Sequence, residues 1–136
     1  MDQRVLVDGI GYQLRPASEE ELVRGVMELD ARTRAEHNPR IVEILATDGG
    51  EDPPALSIGV GGQEYVLVFN EGNLSGEGGY SKGQHDGDTG EISYAYGDSN
   101  SFYERWMLVD RDTAVSAARE FFRTGRRPSN VRWEDF

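Results

Sequence analysis

The stretch DRDTAVSAAREFFRTGRRPSNVRWEDF (residues 110–136) is the most informative for the fold, because it specifies both ends of a helix and the strand after it. Asp110 or Asp112 can accept hydrogen bonds from the free backbone N–H groups of a first helical turn, and both favour its positive dipole end. Gly125 can adopt the left-handed conformation that closes a helix, and Pro128 prevents its continuation. The pattern therefore predicts a C-terminal helix that runs directly into a short strand.

A second amphipathic helix is predicted near the N-terminus. Ser18 and Glu21 have the spacing of a capping box, and acidic residues fill the positive first turn. Apolar residues then recur at steps of three and four until Asn38-Pro39, so we expect a helix over about residues 19–36. Before it, the turn sequence DGIG (residues 8–11) separates two short apolar runs and predicts a β-hairpin.

The middle of the chain changes to a β pattern. Residues 40–47, 55–60 and 64–69 are short apolar or alternating runs rich in β-branched residues, and residues 92–96 alternate in the same way. Together with the two hairpin strands before the first helix and the short strand after the C-terminal helix, they predict a single α+β domain over residues 1–136. We expect a mainly antiparallel sheet of about five to seven strands, with both helices packed on one face.

The segment between the third and fourth of these runs has a different composition. Residues 70–90 are rich in glycine and acidic residues and contain few large apolar side chains. Loops of this length are uncommon in compact domains and are usually either functional or disordered. We therefore expect a long surface excursion. Its composition is compatible with a functional loop and with a disordered one.

Composition and charge limit the classes of function. The chain has 136 residues, no cysteine and a formal net charge of −11; residues 1–104 hold 20 acidic and 7 basic side chains, against 5 and 7 in residues 105–136. An acidic surface repels nucleic acid and attracts basic proteins. Such a surface is equally compatible with a protein whose charge only keeps it soluble. The N-terminus lacks signal-peptide features, and no run approaches the ~20 apolar residues of a membrane span. We expect a cytoplasmic protein that binds neither a membrane nor nucleic acid directly.

Catalytic and metal sites find little support in the sequence. Only His37 and His85 could act as an imidazole base, and there is no cysteine nucleophile. The segment HDGDTGE (residues 85–91) resembles a calcium-binding turn in its oxygen ligands but lacks the EF-hand register and its flanking helices. We expect no enzymatic activity, no catalytic residue, no metal and no cofactor; a small calcium-binding protein is one alternative.

The string AREFFRTGRRPSNVRW (residues 118–133) resembles the C-terminal signature of a bacterial immunity-protein family of polymorphic toxin systems, the first-numbered immunity family. Weaker similarity extends through residues 55–69 and 92–97. In that family the fold is α+β, and a glutamate and a tryptophan are characteristic. The glutamate corresponds to Glu120 or, alternatively, to Glu104. The matching positions are Glu120, Phe121, Thr124, Gly125, Pro128, Val131 and Trp133.

The resemblance implies both a function and a partner. Genes of this family typically lie beside toxins of the deaminase superfamily, so the chain is expected to bind a cognate toxin of that kind in a 1:1 complex. Neutralisation would occur by stoichiometric occlusion of the toxin's active site or substrate-binding surface. An acidic nucleic-acid mimic, which would inhibit many unrelated DNA-binding proteins, is the second alternative.

Candidate contact residues combine protruding acids with aromatic side chains. Tight inhibitors usually anchor through a few aromatic residues, whereas carboxylates supply steering and register. The toxin-binding candidates are Glu71, Glu77, Tyr80, Asp86, Asp88, Glu91, Asp98, Phe102, Tyr103 and Glu104.

The signature residues are expected to be mainly structural. A tryptophan within an alternating strand buries a large area, and its N–H needs one partner. A partly buried carboxylate at position 120 requires hydrogen bonds, from Arg111, Arg123 or a backbone group. The residues to which we assign this structural role are Glu120, Phe121, Gly125, Pro128 and Trp133.

Overall fold

A computed structural model of the chain describes residues 3–85, 87 and 90–136. These residues form ten strands and two α-helices, together with two single-turn 3₁₀ helices, Thr47–Gly49 and Arg105–Met107. The elements in chain order are β1 (Arg4–Val7), β2 (Gln13–Leu14), α1 (Glu19–Ala35), β3 (Arg40–Ala46), β4 (Ala55–Val60), β5 (Tyr65–Asn70), β6 (Gly78–Lys82), β7 (Glu91–Tyr96), β8 (Ser99–Glu104), β9 (Leu108–Val109), α2 (Arg111–Thr124) and β10 (Arg132–Asp135).

The main sheet has the strand order β10-β6-β5-β4-β3-β1-β2. Its described pairings are antiparallel, as in Leu56↔Phe69 between β4 and β5. Strand β9 adds to β5, and β7 touches β3 through one parallel bridge, Arg40↔Ala95, before pairing with β8. The β7–β8 hairpin therefore branches from the sheet at β3.

Both helices begin at the residues that the sequence indicates. Ser18 Oγ accepts from the Glu21 N–H at 3.1 Å, and Asp110 Oδ1 accepts from the Thr113 N–H at 2.8 Å. The latter hydrogen bond lowers the pKa of Asp110. Helix α2 ends at Gly125, whose φ of 66° is the predicted left-handed cap.

The main core lies between the sheet and the two helices. Alternate residues of the central strands, such as Ile44, Ile58 and Leu67, pack against α1 and α2, and Leu22 and Phe121 are fully buried in this layer. The prediction of an α+β fold with both helices on one face is confirmed. No helix within the described ranges has the length and apolar composition needed to cross a membrane.

A smaller core lies on the other face of the sheet. Ile41 and Val66, which alternate with the helix-facing residues of β3 and β5, pack there against Tyr94, Met107 and Leu108. The β7–β8 hairpin thus covers part of the face that the helices leave open.

The predicted number of strands was too low, because β6, β8 and β9 were not recognised. Strand β6 lies within the expected surface excursion, and its glycines are required by close packing: a Cβ on Gly78 would collide with the Phe69 carbonyl, and one on Gly79 would press against the Glu134 carbonyl. Strand β8 has a polar sequence because its outer side is exposed, and β9 has only two residues.

Candidate functional site

The β7–β8 hairpin has one buried side and one exposed side. Its strands pair over six positions, from Glu91↔Glu104 to Tyr96↔Ser99. On the buried side, Tyr94 is fully enclosed, and its hydroxyl donates to the Glu64 carbonyl at 3.3 Å. Burial raises the pKa of Tyr94. This side fastens the hairpin to the sheet.

The exposed side of the hairpin combines an aromatic ring with acidic groups. Phe102 lies opposite Ser93 and is 60% exposed, and the Glu91↔Glu104 pair is two positions away on the same side. The Glu104 carboxylate also accepts from the Trp106 indole N–H. We name this outer side, formed by Glu91, Ser93, Phe102 and Glu104, the hairpin face.

Strand β8 is an edge strand. Of the described strands, only β7 pairs with it, so its other edge presents backbone N–H and C=O groups that lack a strand partner. Such an edge can pair with an extended segment of another chain. The hairpin therefore offers side-chain contacts on the hairpin face and backbone contacts along the other edge of β8.

The turn end of the hairpin is held to the sheet. Arg40 donates to the Gly97 carbonyl at 3.0 Å, and the Tyr96 hydroxyl donates to Glu43 Oε1 at 2.9 Å. Partial burial and this hydrogen bond raise the pKa of Tyr96 to about 12. Asp98 is exposed in the turn itself.

Two of the predicted acids lie away from the hairpin, in the connection between β5 and β6. The Glu71 N–H donates to the Glu77 carbonyl at 2.9 Å. A side-chain hydrogen bond to Glu77 and the charge of that residue raise the pKa of Glu71. This carboxyl pair borders an open cleft of about 660 Å³, to which Arg127 and Phe136 also contribute.

Two of the predicted aromatic contact residues, Tyr80 and Tyr103, are only partly exposed. The Tyr80 ring lies 4.9 Å from Phe136 and 6.4 Å from Tyr103 between ring centroids, and Tyr103 lies 5.9 Å from Tyr94. Tyr80 and Tyr103 are therefore half-buried in an aromatic row across the face opposite the helices. The row links the hairpin to the C-terminus.

The predicted contact residues do not form one patch. Four are exposed on the hairpin, two are half-buried in the aromatic row, and two lie in the β5–β6 connection. Asp86 and Asp88 lie outside the described residues, as does Thr89, so the proposed calcium turn is not described as a unit. Within the described ranges, no group of three or more acidic or histidine residues could hold a metal ion.

The signature residues converge on the connection between α2 and β10. Glu120 accepts from the Ser129 N–H at 2.7 Å and from the Ser129 hydroxyl at 2.9 Å. The Trp133 indole donates to the Pro128 carbonyl at 2.9 Å, and its ring centroid is 6.3 Å from that of Phe69. Phe121 is fully buried, and Gly125 closes the helix. This geometry supports a structural role for the signature.

Sequence reasoning missed two features. Asp30 is buried and accepts from the Gly61 N–H at 2.8 Å, the Tyr65 hydroxyl at 3.0 Å and the Arg34 guanidinium at 3.0 Å. Its position four residues after Val26, on the apolar side of α1, was the signal that could have found it. The second feature is Leu74, an isolated leucine in the acidic β5–β6 connection.

The family model for Immunity protein Imm1 matches residues 11–135, which is nearly the whole chain. The protein is thus an immunity protein by class, and it belongs to the Imm1 immunity protein family. This confirms the resemblance found in the sequence. Membership implies a cognate toxin as the partner and indicates a binding rather than a catalytic role. A comparison with curated protein sequences found no significant match.

Proposed function

We propose that this Imm1 protein neutralises a nucleic-acid deaminase toxin by forming a 1:1 complex in which the hairpin face covers the toxin's substrate-binding surface. The observation that carries the proposal is the exposed Phe102 beside two opposed carboxylates on the β7–β8 hairpin. The buried side of this hairpin packs against the sheet and holds the hairpin in place. The bacterial cytoplasm is the proposed place of action, because the toxin would reach its nucleic-acid substrate there.

A basic partner would stabilise the hairpin face. Like charges directly opposite each other weaken an antiparallel pair, so Glu91 and Glu104 reduce the stability of the free protein. A cationic surface would relieve that repulsion, and burial of the Phe102 ring would add apolar contact. Surfaces that bind nucleic acid carry lysine and arginine, which makes the substrate-binding surface of such a toxin complementary to this face.

Long-range charge favours the same encounter. The net charge of −11 attracts a basic toxin and raises the rate of association at low salt. Tight inhibition needs about −12 kcal/mol, usually over ~1,600 Å² of total buried surface. The hairpin is therefore the centre of a larger footprint, with further contacts from neighbouring loops.

Occlusion alone suffices as a mechanism. A nucleic-acid deaminase uses a zinc-activated water and must take its target base out of the stack into a pocket. The zinc and the reacting groups belong to the toxin, and the immunity protein only has to block the entrance. No turnover by the immunity protein is involved.

A titration of the chain against the toxin domain encoded by the neighbouring gene tests the proposal. Affinity and residual deaminase activity are read in the same samples. We expect nanomolar 1:1 binding and loss of activity in proportion to the complex formed. Binding that leaves activity intact contradicts occlusion, and absence of binding between two folded proteins contradicts the choice of partner.

A panel of unrelated DNA-binding enzymes separates this proposal from a general nucleic-acid mimic. A cognate inhibitor discriminates between close relatives through clashes and unmatched charges. We expect inhibition of the cognate toxin alone. Inhibition across the panel would favour the mimic.

A further inference from the structure

The connection between β5 and β6 presents an apolar side chain at its tip. Leu74 is 90% exposed, whereas Phe102, on the hairpin face, is 60% exposed. An exposed leucine contributes almost no hydrophobic stabilisation to the free protein, since its surface stays in water. Packing within the chain therefore does not explain a leucine at this position.

The backbone at the tip is also unfavourable for leucine. Asn73 has φ 56° and Leu74 has φ 58°, so two successive residues adopt the left-handed conformation. Asparagine tolerates that region well, but a leucine side chain is strained there. Such strain persists where the surrounding structure enforces it, and it is concentrated at functional positions.

Contacts with the segment before β4 hold the tip in this left-handed conformation. The Asn73 N–H donates to the Asp52 carbonyl and the Leu74 N–H to the Asp52 carboxylate, both at 2.6 Å. Gly72 lies so close to the backbone of Asp52 and Pro53 that a Cβ there would collide. These contacts fix the tip in the free protein. The tip therefore loses less conformational entropy when it binds a partner.

The neighbourhood of the tip specifies the chemistry of that partner. Glu71 and Glu77 flank the tip on the chain and line the cleft, which Arg127 and the half-exposed Phe136 also line. Arg127 is already paired with Asp135 at 2.6 Å. A basic side chain placed beside the carboxyl pair would neutralise it. A second copy of this chain is a poor occupant, because each copy carries a net charge of −11.

We propose that Leu74 is an anchor residue that enters an apolar pocket on the toxin, with a basic toxin side chain seated beside it near Glu71 and Glu77. This rests on the proposed function and gives the toxin a second contact, separate from the hairpin face. It also explains why a strained, exposed leucine is held in place.

Replacement of Leu74 by asparagine tests the proposal, because binding and folding are expected to respond in opposite directions. Leu74→Asn removes the apolar group and relieves the backbone strain, so the melting temperature should stay the same or rise. The affinity for the toxin should fall at least about tenfold, as for the loss of an interface anchor. Leu74→Met keeps an apolar side chain of similar size and should bind nearly as tightly as the wild type.

A control changes the neighbouring left-handed residue, Asn73. Asn73→Gly adopts the same left-handed conformation freely and leaves the leucine in place, so it should retain binding. Unchanged affinity of Leu74→Asn, or a lowered melting temperature of that variant, overturns the proposal; the second result would show that Leu74 stabilises the fold. The wild type is titrated in the same series, and its failure to bind would instead remove the proposed function on which this inference rests.

Discussion

Glu91 and Glu104 lie directly opposite each other at the end of the β7–β8 hairpin that is remote from its turn. Both are exposed, and they share the outer side of the hairpin with Phe102. Opposed like charges weaken a strand pair, so this arrangement does not serve the stability of the free protein. It is the arrangement expected of a surface that meets a basic partner.

Charge reversal at Glu91 should separate folding from binding. Glu91→Lys places a cation opposite Glu104, and we expect the free energy of unfolding to rise by roughly 0.2–1 kcal/mol. The same change should slow association with the toxin and flatten its salt dependence. Stopped-flow association rates at several salt concentrations provide the measurement.

A charge-matched control lies on the other side of the molecule. Glu28 is exposed on α1, and Glu28→Lys changes the net charge by the same amount. Equal slowing by both variants would mean that only total charge matters and that the hairpin face has no special place in the encounter.

The pH dependence of stability should reveal the Glu71–Glu77 carboxyl pair. The pKa of Glu71 is raised above its ordinary value of 4.5, so the folded state holds this proton more tightly than the unfolded state. Its contribution to stability is therefore complete below pH 4.5 and is lost as the pH rises through the folded-state pKa.

Glu71→Gln removes this titration. We expect the variant to match the wild type below pH 4.5 and to be slightly more stable at neutral pH, in urea unfolding across that range. The effect should be small, because the pair is exposed to solvent and salt. A stability difference that does not vary with pH would show that the two carboxyl groups are not coupled.

Asp30→Asn should destabilise the fold without changing toxin recognition. The buried carboxylate accepts from Gly61, Tyr65 and Arg34, and an amide would turn two donor hydrogens toward these donors. We expect a loss of about 2–3 kcal/mol in urea unfolding, since buried donors lose their acceptor and the Arg34 ion pair is only partly shielded from solvent. A loss below about 0.5 kcal/mol would contradict the role of Asp30 in fastening α1 to the β4–β5 turn.

A substitution of the signature tryptophan should likewise affect stability and leave binding unchanged. Trp133→Phe keeps an aromatic ring beside Phe69 but removes the hydrogen bond to the Pro128 carbonyl. We expect unfolding to become easier by about 1 kcal/mol while the affinity of the folded variant for the toxin is retained. A clear loss of affinity at unchanged stability would assign Trp133 to the interface instead.

Sequence reasoning succeeded where the determining interactions are local. The bounds of α2 follow from Asp110 and Gly125, which act on backbone groups within one helical turn. It failed for β6, because Gly78 and Gly79 resemble loop residues until the strands that press against them are known. Leu74 was missed for the same reason, since its backbone is set by Asp52, a residue distant in sequence.

The candidate site was predictable in composition but not in arrangement. Exposed acids and aromatic residues between residues 71 and 104 were identified, yet the strand register decides that Phe102 faces outward while Tyr103 packs inward. Register depends on tertiary packing, which the alternation of β8 alone does not specify.

A matched pair of Phe102 variants, assayed for affinity and residual toxin activity, decides whether the hairpin face covers the toxin. Phe102→Ser removes the exposed ring from the hairpin face, whereas Phe102→Tyr retains it, and neither change touches a buried position. We expect the serine variant to bind the toxin at least about tenfold more weakly and to leave it active at concentrations where the tyrosine variant and the wild type inhibit fully. Equal affinity and equal inhibition by all three proteins would contradict the assignment of this face to the toxin interface.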